Sequence, residues 1–366
     1  MTKAGASEYT PDSVSPPGET LLEILEDRGM TQAEFAERTG RPKKTINEIV
    51  KGKAAITSDT ALQFERVLGV SAVFWSNRER RYREHLSRLE ERERLSHQVE
   101  WLEEFPFKWM ASEGWTTEHE SKVDNVRELL GFFAIASPDR WAEASASTSA
   151  ALRCSKACKS DPGALAAWLR KGELAAQEME TDAFGRDSFR RCLSDARALT
   201  RERPKEFVPE LKCMCAEAGV AVVFVKQPPE SRVSGAARWL TPSRALIQLS
   251  LRYKANDQLW FSFFHEAGHI LLHGKREFFL DLHDARAAGE EEEEADAFAA
   301  DILIPRSAYR SLLDEGTPTR KRIVEFASDI GVSPDIVLGR LQHDRRVPFD
   351  RFNDLKRSVR WAHRAR

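Results

Sequence analysis

Cysteine, long apolar runs and net charge are all scarce in this 366-residue sequence. No apolar stretch approaches the roughly 18 to 20 residues that span a bilayer, so no membrane segment is expected. The opening MTKAGASEYTPDSVSPPGET lacks an apolar core between a basic start and a cleavage site, which argues against a secretory signal. It reads as a flexible polar tail over residues 1–17. The five cysteines, Cys154, Cys158, Cys192, Cys213 and Cys215, are odd in number. Without a signal, that usage predicts reduced thiols and a cytoplasmic protein. Cys213 and Cys215 stand too close in sequence for a usual zinc knuckle, and Cys154 and Cys158 share a helix face, so ordinary buried thiols are expected. With a formal net charge of −2, any nucleic-acid contact must come from a local patch.

What is present suits a soluble chain of two or three domains, with 41% apolar and 31% charged residues. Periodicity predicts a mainly α protein, α+β overall. Residues 18–76 read as a packed set of short helices. Residues 77–97, NRERRYREHLSRLEERERLSH, read as a connecting helix with charges of both signs at i,i+4 spacing. Residues 98–218 read as a helical middle region without a chemical motif. The period then changes. GVAVVFV (219–225) is a buried strand, Pro228-Pro229 a turn, and ALIQLSLR (245–252) a strand with one wet face. Asn256-Asp257 is expected to cap the helix that follows, and Gly274 to end it.

That helix contains FSFFHEAGHILLHGK. His265 and His269 lie one helical turn apart and can reach one ion from one face, while Glu266 stands where a general base would act. His273 is a poor third ligand, since it lies about 12 Å along the axis from His265 at about 1.5 Å per residue. The longer metzincin pattern fails too, because its glycine and third histidine would fall on Leu272 and Lys275. The third ligand must come from another helix, and EEEEEADAFAADILIP (290–305) supplies acids. Its apolar stripe, Ala295, Phe298, Ala299 and Ile302, turns part of the acidic turn inward. Glu292 and Asp296 are four apart, as a ligand and a carboxylate orienting a histidine would be. Glu293 is the alternative ligand. The set matches the two-histidine, one-glutamate arrangement of thermolysin-like enzymes.

The helix pair HEAGHILLH and EEEADAFAADILIP resembles the ImmA/IrrE family of zinc metallo-endopeptidases, over roughly residues 220–345. The resemblance implies Zn2+ held by His265, His269 and Glu292, Glu266 as general base, and Asp296 beside a ligand. It also implies a zincin-like core over 219–310, its small sheet packed on the HExxH helix. The oxyanion donor stays open among His283, Tyr309 and Arg238. The strand 245–252 is expected to accept an extended peptide by edge addition.

At the other end, MTQAEFAERTGRPKKTINEIVKGK (30–53) reads as a tight helical pair. Thr31 caps the first helix with Glu34 at the capping-box position, and Gly40 makes the turn. Arg41, Lys43 and Lys44 crowd the start of the second helix, where a recognition helix meets bases and phosphates. The stretch resembles the phage-repressor (XRE-type) helix-turn-helix, and ITSDTALQFERVLGVSAVFW continues it as in the HigA antitoxin branch. By position, Lys43, Lys44 and Asn47 are implied to read the major groove, Gln32 and Lys51 or Lys53 to grip the phosphates, and Thr45 is counted among the DNA-binding residues. FASDIGVSPDIVLGRLQ (326–342), in the helical C-terminal region 311–366, echoes this pair. It carries Asp335 where a reader would want a base, so packing is expected there.

Together these features predict a nucleoid-associated stress-response regulator with a built-in peptidase. Latent until signalled, it would cut itself, between about residues 77 and 115, or a related helix-turn-helix repressor. Expected partners are double-stranded operator DNA, a protein substrate, a second copy of the chain, and a toxin partner or single-stranded DNA as inducer. The rivals are a non-proteolytic zinc-domain sensor and a HigA-like antitoxin.

Overall fold

The computed structural model describes residues 14–144, 161–274, 279–282 and 290–361, and the chain divides into two compact units, residues 1–99 and 100–366. Most of the tail expected over residues 1–17, together with Cys154, Cys158 and His283, lies outside the described residues. No helix among the described residues is long and apolar enough to cross a membrane.

The first unit is all helical: α1 (Pro17–Asp27), α2 (Gln32–Thr39), α3 (Lys43–Val50), α4 (Ser58–Leu68) and α5 (Ala72–Ser96). Hydroxyl side chains start three of these helices. Thr31, Thr57 and Ser71 accept hydrogen bonds from the backbone of Glu34, Thr60 and Phe74, so each first turn begins at a set residue. Leu21, Phe35, Ile46, Phe64 and Trp75 then close one core. The connecting segment expected from residue 77 begins five residues earlier, as part of the 25-residue helix α5. Pairs such as Arg83–Glu79 and Arg88–Glu84 line that helix at i,i+4.

A 3-10 turn (Val99–Glu104) straddles the division, and the second unit continues through α6 (Phe107–Ser112), α7 (Lys122–Phe133), α8 (Pro162–Gln177), α9 (Arg186–Ala196) and α10 (Pro204–Glu217). Residues 77–115 are thus largely helical, with Trp101, Phe105 and Phe107 buried. The self-cleavage expected there would therefore have to fall within largely helical backbone. Four strands follow: β1 (Val220–Phe224), β2 (Val233–Thr241), β3 (Arg244–Leu249) and β4 (Phe279–Leu282), in the order β1-β3-β2-β4. β1 runs parallel to β3; β2 is antiparallel to both β3 and β4.

This order corrects two expectations about residues 245–252. β3 is internal, so it has no free edge for a peptide. Neither of its faces is wet. One packs on α8 through Leu246 with Leu165 and Trp168, the other through Ile247 and Leu249 with Trp260 and Phe263. Gln248 survives burial because its Nε2 donates to the carbonyl of Trp168 at 2.7 Å.

Against the second face lies α11 (Asn256–Leu272), followed by α12 (Glu290–Leu303), α13 (Arg306–Asp314), α14 (Arg320–Ile330) and α15 (Pro334–His343). The expected cap at Asn256-Asp257 is not formed. Ala255 is the capping residue and makes no side-chain bond. Asn256 and Asp257 lie inside the first turn, engaged in tertiary contacts. The Asn256 side chain donates to the Thr200 carbonyl at 3.3 Å, and Asp257 faces Lys356 at 3.1 Å. A short strap downstream of α15 secures this end of α11. The Asn256 N–H donates to the Arg357 carbonyl and the Val359 N–H to the Lys254 carbonyl, each at 2.9 Å. The Arg357 guanidinium bonds the carbonyls of Thr200, Arg201 and Glu202 and reaches the fully buried Asp335 carboxylate at 3.5 Å.

Helices α14 and α15 form a second helix-turn-helix shape around Gly331, whose φ of 74° needs glycine. Asp335, Ile336, Val337, Leu338 and Leu341 of α15 are buried. The helix that would read DNA in such a pair is part of the core here.

Candidate metal centre

Helix α11 is apolar nearly all round, and from Phe263 to Leu271 every residue is buried. A helix of that kind belongs between two layers. It carries His265, Glu266 and His269 into a dry environment between the sheet and α12. Gly268 allows α12 to come close: a Cβ there would stand 3.2 Å from the Ala295 Cα and from a ring carbon of Phe298. That approach sets the acidic first turn of α12 over the two imidazoles.

The structure brings together the residues expected to hold a metal. His265 Nε2 and His269 Nε2 are 3.0 Å apart. The Glu292 carboxylate lies 3.2 Å from the first and 3.6 Å from the second. Zinc ligands at about 2.0 to 2.2 Å in a tetrahedron stand about 3.3 to 3.6 Å from one another. The three donors, 3.0 to 3.6 Å apart, stand within about 0.3 Å of that spacing, and their chemistry suits zinc. The alternative ligand, Glu293, is not among the grouped donors. Asp296 sits 2.9 Å from His265 Nδ1. A carboxylate there accepts the Nδ1 proton and leaves a lone pair on Nε2, the form that binds metal. Burial, with the His265 and His273 imidazoles close by, pushes the His269 pKa down to about 2, so this ring is neutral.

Glu266 is fully buried beside β2. Its carboxylate occupies space left by Gly235: a Cβ built there would lie 2.5 Å from Oε1 and 2.9 Å from Cγ. Of the oxyanion candidates, Tyr309 donates its hydroxyl to Asp344 at 2.8 Å, and the Arg238 guanidinium bonds the Leu169 carbonyl beside Glu173. Both are committed elsewhere. Gly235, Gly268, His273 and Glu294 were not identified as site residues from sequence. The signal for His273 in the sequence is a histidine one turn beyond HExxH.

In the first unit, Lys43, Lys44, Asn47 and Lys51 lie on the solvent side of α3, with Gln32 exposed at the start of α2 and Lys53 exposed just after α3. Thr45 is half-buried. Arg41 is not offered with them. Its guanidinium pairs with Asp59 and donates to Gln63 at 2.6 Å, fastening the turn to α4. Ile46 and Ile49 anchor the opposite face of α3 in the core.

Residues 215–342 match the IrrE N-terminal-like domain of the peptidase M78 family, and residues 21–75 match a helix-turn-helix family. Two solved structures also show similarity. One is described as an antidote protein of a plasmid maintenance system from Nostoc punctiforme, with 30% identity, 23% of this chain and 92% of that chain covered, and a TM-score of 0.22. The other is an addiction module antidote protein of a HigA family from Coxiella burnetii, with 25% identity, the same coverages and a TM-score of 0.21. No curated protein matches the chain. The chain joins an XRE-type helix-turn-helix domain to a domain of the IrrE/ImmA peptidase family. That combination defines a DNA-binding regulator with a protease-like domain.

Proposed function

We propose that this regulator is a zinc-dependent endopeptidase acting on helix-turn-helix repressors, itself or a related protein, on receipt of a signal. The observation that carries the reading is the convergence of His265 Nε2, His269 Nε2 and the Glu292 carboxylate at 3.0 to 3.6 Å beside a buried Glu266. Zinc bound by these residues supplies Lewis acidity toward a peptide carbonyl and acidifies a water molecule. Glu266 accepts the proton of the attacking water and returns it to the leaving amine nitrogen. Asp296 holds the His265 ring in its binding tautomer. The dry walls of α11 and the sheet strengthen these charge interactions. An extended substrate can add only at β1 or β4 among the described strands, and β4 is the edge beside the Gly235 strand.

Residues 77–115 are largely helical, so cutting there requires local opening first. This is consistent with a latent resting protein. The test incubates purified full-length protein with zinc, with and without single-stranded DNA and a helix-turn-helix repressor. Fragments are read by mass spectrometry. Cleavage is expected in wild type, abolished by chelation and by Glu266→Gln. Identical intact masses for wild type and Glu266→Gln under every condition would replace this reading with the non-proteolytic sensor or antitoxin.

A further inference from the structure

Immediately after α11 stands a third histidine that the proposed mechanism does not use. His273 Nδ1 lies 3.0 Å from His269 Nδ1, and His273 Nε2 lies 3.2 Å from a carboxylate oxygen of Glu294. The His273 side chain is 6% exposed, whereas that of Glu294 is 62% exposed. With the contacts already described, five residues form one line: Asp296, His265, His269, His273, Glu294.

Taking each ring with one N–H proton, as a metal-binding histidine must be, assigns a tautomer at each of these four contacts. The two carboxylates at the ends only accept, so His265 must donate to Asp296 and His273 must donate from Nε2 to Glu294. His273 Nδ1 is then an acceptor. One proton, that of His269, remains for two contacts, His269–His273 and His265–His269. At the second contact the Glu292 carboxylate converges on both Nε2 atoms, so a cation belongs there in place of a proton. The His269 proton therefore sits on Nδ1 and is donated to His273.

From this line we infer that His273 is a positioning residue: it accepts the His269 Nδ1 proton, is held in the accepting tautomer by Glu294, and so aims the His269 Nε2 lone pair at the metal. This rests on the proposed metal site. The two ligand histidines are then served differently. His265 is oriented by a carboxylate directly, and His269 by a carboxylate acting through an intervening imidazole. Both carboxylates come from α12, which also supplies Glu292.

The test measures zinc affinity of the full chain by competition with a fluorescent chelator, with thermal unfolding of the zinc-free proteins as control. His273→Leu removes the acceptor, and zinc binding is expected to weaken about 10- to 100-fold. His273→Asn keeps an oxygen close to the position of Nδ1, and affinity is expected to recover to within about 3-fold of wild type. Glu294→Ala, at an exposed side chain, is expected to weaken binding several-fold without loss of folding. Wild-type affinity in His273→Leu overturns the inference, as does an equal loss in the Leu and Asn variants. If His273→Leu does not fold, wild-type affinity in Glu294→Ala overturns it instead. A wild type that binds zinc no better than His265→Ala removes the metal site itself, and the inference with it.

Discussion

Replacing Gly235 by alanine separates metal binding from proton transfer. The added Cβ would stand 2.5 Å from Glu266 Oε1, where ordinary contact begins near 3.4 Å, so the oxygen must retreat by 3.4 − 2.5 = 0.9 Å. The Cγ at 2.9 Å and Cδ at 3.1 Å are crowded too, so the whole carboxyl end shifts. Glu266 is fully buried, so that end moves within a packed interior. Misplacing a reacting group by about 1 Å costs about 100-fold in rate. Overpacking costs about 1 to 3 kcal/mol of stability. We therefore expect Gly235→Ala to fold with a lowered melting temperature, to keep its zinc, and to cut its substrate about 100-fold more slowly. The assay is single-turnover cleavage beside zinc content by mass spectrometry. Gly268→Ala is the contrasting control. Its Cβ meets the Ala295 backbone at 3.2 Å, so it pushes α12 from α11 and should reduce zinc content. A wild-type cleavage rate in Gly235→Ala would falsify the placement of Glu266 as the base.

Three other outcomes are expected. His265→Ala and Glu292→Ala should lose zinc while Glu266→Gln keeps it; full zinc in Glu292→Ala would mean that another carboxylate is the ligand. Lys43→Ala and Lys44→Ala should each weaken operator binding by about 1 to 3 kcal/mol if they touch bases, whereas Lys53→Ala should mainly reduce the salt slope by about one phosphate. Binding titrations over a range of salt concentrations decide this, and unchanged affinity in all three ends the assignment. Asp257 has its pKa raised by burial, against the pull of Lys356. A carboxyl held more tightly protonated in the native state loses stability as pH rises from its ordinary value near 3.8 through its raised native value. Asp257→Asn does not titrate, so its stability relative to wild type should improve across that window in denaturant melts. A pH-independent difference would show that burial does not govern this group.

Local periodicity made much of the candidate site legible. His265, Glu266 and His269 follow from one helical turn, and Glu292 with Asp296 from another, because α-helical spacing needs no tertiary information. β2 was missed because VSGAARWLT has neither alternation nor a β-branched run; its pairing with β3 and β4 makes it a strand. The wet face assigned to residues 245–252 failed at Gln248. A polar residue at an alternating position is equally consistent with burial when a helix carbonyl, here that of Trp168, waits for it. Asn256-Asp257 looked like a cap because short polar residues before an apolar helix usually are. Their partners, Thr200 and Lys356, lie far off in sequence, where no window reading reaches. Arg41 was grouped with the lysines by charge alone, and only the fold shows it spent on Asp59.

The strap across the start of α11 has a consequence for the order in which the protein is made. The unit matching the helix-turn-helix family is complete by residue 99, whereas Arg357, which ties Thr200, Asp335 and the start of the histidine helix together, follows 357 − 99 = 258 residues later. At about 5 to 20 residues per second, a ribosome takes about 13 to 50 s to cover that distance. During that interval the nascent chain already contains the whole helix-turn-helix unit, while the histidine helix waits for its fastening. A truncation or frameshift between residues 99 and 356 would leave the helix-turn-helix unit whole while removing the fastening of the histidine helix.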